Sequence, residues 1–153
     1  MTDSPSRSGA FESAVDKRVE QFTESISFDA RLCREDIAGS IAHANMLADQ
    51  QLVSPAERDQ IVQCLTEIGQ ELENGQFPLR MELEDIHMNI EKRLFEIVGE
   101  DAGYIHTGRS RNDQVITDLK LWLKSATNEV IGHLNKLTKV IIKDAEKNIK
   151  TIM

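Results

Sequence analysis

The chain has 153 residues, of which 40% are hydrophobic, 29% charged and only 5% aromatic, and its formal net charge is −8. That length and apolar fraction suffice for one core-bearing domain, and the acidic balance argues against a nucleic-acid partner. No apolar run approaches the roughly 20 residues that span a bilayer, and 8 glycines and 3 prolines amid abundant Leu, Ile, Ala, Glu and Lys point to an all-α fold.

Residues 1–10 read as a polar, flexible tail without the apolar stretch of a signal peptide, so a cytoplasmic protein is expected. Phe11, Ala14, Val15, Val19 and Phe22 follow helical spacing and predict a helix up to Glu24. After a break at residues 25–28, Asp29 is the predicted cap of a helix that buries Leu32, Ile37, Ile41, Ala44 and Leu47. Gly39-Ser40 inside it costs helix propensity and marks close packing. Ser54-Pro55-Ala56-Glu57 combines a Ser cap, Pro at the first helical position and Glu three residues after the cap. The stripe Ile61, Leu65, Ile68 and Leu72 follows, and Asn74-Gly75 ends it. A fourth helix is predicted over 83–98, with stripe Leu83, Ile86, Ile90, Leu94 and Ile97 and a stop at Gly99. Cys33 and Cys64 lack metal-like spacing and read as buried free thiols of a reducing compartment.

From about Ser110 to Lys150 there is no proline and one glycine, Gly132. Leu119, Trp122, Ala126, Val130, Leu134, Leu137, Ile141 and Ala145 recur at spacings of three and four. One helix of that extent would be about 60 Å long. A domain of this size has a radius of gyration of only roughly 15 Å. The helix therefore needs partner helices, and with no cap at Lys150–Met153 the chain is expected to be a portion of a longer one. Residues 11–109 then form an N-terminal helical domain, and 110–153 one long helix that needs partners.

The chemistry concentrates in His106-Thr107-Gly108-Arg109-Ser110-Arg111-Asn112-Asp113-Gln114, which lacks any large apolar side chain and directly precedes the long helix. A helix N-terminus favours an anion, and Arg109 and Arg111 offer guanidinium forks that match carboxylates or phosphates. Gly108 permits a tight turn, Asn112 both donates and accepts, and Asp113 can orient an arginine. By composition alone the stretch is either such an anion site or a solvated capping loop. Glu84, His87 and Glu91 are expected on one helical face. There His87 is either a salt-bridged surface residue or a polar active-site contribution. A Glu-x-x-His metal site would require a second such pair, which the chain lacks, so no metal is expected. His43 and His133 read as packing residues.

The string Thr107-Gly108-Arg109-Ser110-Arg111-Asn112-Asp113-Gln114 resembles the signature of argininosuccinate lyases and the related delta-crystallins. Residues 22–29, 36–44 and 84–91 are similar to the same family, and the match runs from about Phe11 to Met153. The resemblance implies reversible elimination of argininosuccinate to arginine and fumarate, with no metal or organic cofactor. It implies that Ser25 and Asn112 bind substrate, and that Arg109, Arg111 and Asp113 have positioning and electrostatic roles there. Thr107 is a further substrate-binding candidate, and His87 an active-site histidine. The catalytic base and a further histidine come, in the family, from segments beyond those matched here, so a chain of this extent is expected to be inactive alone. The family is a homotetramer whose active sites combine segments of three subunits. Arg7-Ser8-Gly9-Ala10-Phe11 departs from the Trp-Gly-Gly-Arg-Phe-like start of the family. The alternative is a non-catalytic assembly module on the same scaffold.

Overall fold

A computed structural model describes residues 16–152, all of whose regular structure is helical. The tail at 1–10 and the helix positions Phe11, Ala14 and Val15 lie outside the described residues. Helix α1 (Lys17–Thr23) starts at Asp16, whose carboxylate accepts from Arg18 N, and buries none of its residues. The expected break holds a short helix α2 (Ile26–Asp29), a 3-10 turn (Ala30–Leu32) and then α3 (Cys33–Asp49).

Asp29 is not the cap that the sequence suggested. No side chain caps α3, and the Asp29 carboxylate instead accepts from Ser25 Oγ at 2.6 Å and from the Ile86 backbone N–H at 3.2 Å. A buried acid gains more from two donors than a helix start gains from a side-chain cap, because its charge loses water on burial.

Helix α4 (Pro55–Glu73) keeps both halves of the capping box. Ser54 Oγ accepts from Glu57 N at 3.2 Å, and Glu57 Oε2 accepts from Ser54 N at 2.6 Å. Gly75, at φ +67°, turns the chain after the helix. Helix α5 (Ile86–Val98) begins three residues later than its stripe implied, since Leu83 lies in a 3-10 turn (Met81–Leu83). The Asp85 carboxylate caps α5 by accepting from Met88 N. Glu84, at φ +68°, aims its carbonyl at the N–H groups of Ser25 and Ile26 and so ties α2 to the start of α5. A 3-10 helix (Gly99–His106) leads to α6 (Arg111–Lys147).

Helices α3, α4 and α5 pack on one another around Ile37, Ala44, Ile61, Leu65, Ile68 and Leu94. Burial of each Leu or Ile among them contributes roughly 1.5–3 kcal/mol. Only the first turns of α6 join this body, through α3 and the 3-10 turn at Ala30–Leu32. With 37 residues, α6 is about 55 Å long. Val130, Leu134, Leu137 and Ile141, from the apolar stripe of its second half, are more than half exposed. No helix among the described residues is long and apolar enough to cross a membrane. Cys64 is buried, which pushes its thiol up to about 11, and Cys33 is half-buried; both are free.

Candidate active site

The signature segment is built at the joint between the 3-10 helix, α3 and α6. Gly108 takes φ +66°, a left-handed conformation that turns the chain from the 3-10 helix towards α6. Ser110 then caps α6, its hydroxyl accepting from Asn112 N at 3.2 Å.

Both arginines have protein partners. Arg109 Nη1 donates to Ser40 Oγ on α3 at 2.9 Å. Arg111 donates to Gln114 Oε1 at 3.1 Å and to Glu91 Oε2 at 2.9 Å. Glu91 also meets His106 Nε2 at 2.9 Å. Burial alone would raise the Glu91 carboxyl, but His106 and Arg111 outweigh it and hold it low. Asn112 and Asp113 face outward. Asp113 is held low chiefly by its own backbone N–H and that of Ser110, as expected of an acid in the first turn of a helix. The guanidinium forks therefore shape the segment, and the Asn112 amide is a free donor and acceptor at its surface.

Beneath the segment lies a buried polar cluster. His87 Nδ1 stands 3.2 Å from Asp36 Oδ1 and 3.4 Å from Asp118 Oδ2, and all three side chains are almost completely buried. Asp36 also accepts from Gln114 Nε2. Burial opposes charge on His87, but Asp36, Asp85 and Asp118 outweigh it and raise its pKa. Burial would likewise raise Asp36, yet His87, Gln114 and Arg109 keep it low. Asp118 is pushed up to about 7, first by burial and then by the Asp36 charge, against the pull of His87 and Arg109. Burial thus favours proton uptake on Asp118, while the carboxylates favour it on His87. The cluster's three ligand atoms lie within 4.8 Å of one another, so the same residues form the described group that could hold a metal ion. The Arg109 guanidinium already faces these carboxylates with positive charge.

Several expectations change here. His87 is neither on a polar helix face nor open to solvent; it is enclosed at the centre of the fold. Glu84 precedes α5, and Glu91 turns to Arg111 and His106, so the three residues do not act as one face. His43 does more than pack: its Nε2 donates to the Thr107 carbonyl at 3.0 Å. His133 is exposed. Ser25 is placed at the junction of α2 with α5 and bonds to Asp29, not to residues 107–113. The roles of Asp36, Ser40 and Asp118 were not foreseen. Their signal was present in spacing: Asp36, Ser40 and His43 recur at four and three residues within a helix, as do Gln114 and Asp118.

A groove of about 480 Å³ opens beside this joint, lined by Glu91, Phe95, Glu100, Gly103, His106 and Arg111. It brings one face of the Glu91–Arg111–His106 group to the surface next to the start of α6.

A family profile described as "Lyase" matches residues 9–153. The chain is 51% identical over 145 residues to an argininosuccinate lyase of Alkalilimnicola ehrlichii, covering 95% of this chain and 31% of that protein. It is 48% identical over 145 residues to argininosuccinate lyases of Azotobacter vinelandii and Acinetobacter baumannii, again covering 95% of this chain. The chain spans 30–31% of the length of these curated relatives.

Proposed function

The chain belongs to the lyase family, and from that premise we propose that it carries one part of the active site of an argininosuccinate lyase. The reaction is β-elimination of argininosuccinate to arginine and fumarate. A base takes the proton from the carbon beside a carboxylate, and an acid protonates the departing guanidinium nitrogen. Charge developing on that carboxylate is lowered in energy by fixed donors placed around it.

The observation that carries this reading is the outward Asn112 amide at the N-terminus of α6, in a segment whose arginines are already fixed to the protein. A helix start adds positive potential there, which suits a substrate with several carboxylates. Asn112 is the substrate-binding residue of the segment, with Thr107 and Asp113 beside it, and Ser25 contributes from the α2–α5 junction. Arg109 and Arg111 act by shaping the segment. His87 is too enclosed to touch substrate and acts through Asp36 and Asp118.

The proton-transfer groups come from other segments of polypeptide. Residues 11–109 serve as the N-terminal helical domain, and 110–153 as the first long helix of a central bundle. The exposed stripe of α6 suits a homotetrameric assembly of such bundles. A cytoplasmic location fits this chemistry.

The test is a graft in which residues 9–153 replace the matching segment of the Alkalilimnicola ehrlichii enzyme, followed by assay of fumarate release from argininosuccinate. Activity within about tenfold of the parent, roughly 1.4 kcal/mol, supports the reading. A correctly assembled graft that forms no fumarate would overturn it.

A further inference from the structure

One face of α3 meets the signature segment at successive points along its length. Asp36, Ser40 and His43 stand one turn apart. Asp36 accepts from Gln114, Ser40 accepts from Arg109, and His43 donates to the Thr107 carbonyl. Between them Gly39 has no side chain to keep the two parts apart. A Cβ at Gly39 would lie 3.3 Å from Asp118 Oδ1 and 3.6 Å from Arg109 Nη2. Both ends and the middle of 107–114 are therefore held on a single rigid helix. Asn112 and Asp113 are left facing outward. The segment needs such a support, because it has no apolar side chain to anchor it and contains a glycine at positive φ.

We propose that Asp36, Ser40 and His43 are positioning residues, and that α3 is a mount that fixes the 107–114 segment so that the Asn112 amide is presented in one orientation. The functional half of this proposal rests on the reading of Asn112 as a substrate-binding residue. The structural half stands on the hydrogen bonds alone. His87, wedged between Asp36 and Asp118, backs the mount from behind.

His43 is only half-buried, so its replacement leaves the core intact. Two variants, His43→Ala and Ser40→Ala, remove one support each. A third, His43→Gln, keeps an N–H able to reach the Thr107 carbonyl. Hydrogen exchange of the full chain should show roughly tenfold faster exchange across 107–113 in the alanine variants, with α4 unchanged. His43→Gln should restore the slower rate. In the graft, kcat/KM should fall roughly tenfold in the alanine variants and recover in His43→Gln. Unchanged exchange in 107–113 overturns the mount whatever the activity. Faster exchange with unchanged kcat/KM in an active graft overturns the positioning role. Faster exchange in a chain whose graft is inactive upholds the mount and counts against the assigned reaction.

Discussion

Ser40 Oγ on α3 accepts a 2.9 Å hydrogen bond from Nη1 of Arg109, 69 residues further along the chain. The bond ties one of the two arginines of the signature segment to α3. Arg111 is tied to Glu91 in the same way. A guanidinium with a carboxylate or hydroxyl partner is a rigid strut, and struts on both sides of Ser110 leave the α6 N-terminus with a defined shape.

The buried cluster predicts a pH dependence of stability. Asp118 has a folded pKa of about 7 against an ordinary value of 3.8, so the folded chain holds a proton that the unfolded chain has released. Its stabilising contribution is complete below the unfolded value and is lost as pH rises through about 7. His87, also raised, adds loss of the same sign above its ordinary value of 6.5. Asp36, which is lowered, acts oppositely and only at acid pH. Chemical denaturation from pH 4 to 8 should show stability falling, with a slope approaching about 1.4 kcal/mol per pH unit where only Asp118 titrates. Asp118→Asn, which mimics the protonated acid, should flatten that fall. An unchanged slope would remove the cluster from the account.

Two glycines in helices make opposite predictions. At Gly132, a Cβ meets nothing within 4 Å, so Gly132→Ala should stabilise α6 by about 1 kcal/mol. At Gly39 the same helix gain is opposed by contact at 3.3 Å with Oδ1 of Asp118, a fully buried side chain packed beside His87. Overpacking of this kind costs about 1–3 kcal/mol, so Gly39→Ala should be neutral to destabilising. Thermal denaturation of the two variants separates the cases.

The helices were legible where their signals were local. Ser54-Pro55-Ala56-Glu57 and Ser110 announce caps within four residues, and the structure places caps there. Asp29 misled because its partners lie at Ser25 and, 57 residues away, at Ile86, and a single sequence shows no such pairing. His87 misled for the same reason. Glu84 and Glu91 at helical spacing suggested a polar face, but Asp36 and Asp118 come from α3 and α6 and close over it. The segment at 107–114 stood out by its composition, but only its resemblance to the argininosuccinate lyase signature separated an anion site from a capping loop. The protein partners of its arginines were not legible, because Ser40 and Glu91 carry no mark of their role beyond helical spacing.

The second half of α6 predicts self-association. Leu134 and Ile141 are 57% and 59% exposed, on a helix that leaves the packed body behind. Each side chain of this kind gains roughly 1.5–3 kcal/mol on burial, which favours pairing between copies. The chain should sediment as an oligomer, and the double variant Leu134→Glu with Ile141→Glu should shift it towards monomer. A monodisperse monomer of the unaltered chain at high concentration would contradict this.

The central claim is that Asn112 holds substrate while its neighbours hold Asn112. Its most direct test is kcat/KM for argininosuccinate in the graft, with and without Asn112→Ala, at equal folded fraction. A loss of about a hundredfold or more is expected when a fixed donor to the reacting carboxylate is removed. An Asn112→Ala graft as efficient as its parent would contradict the account at its centre.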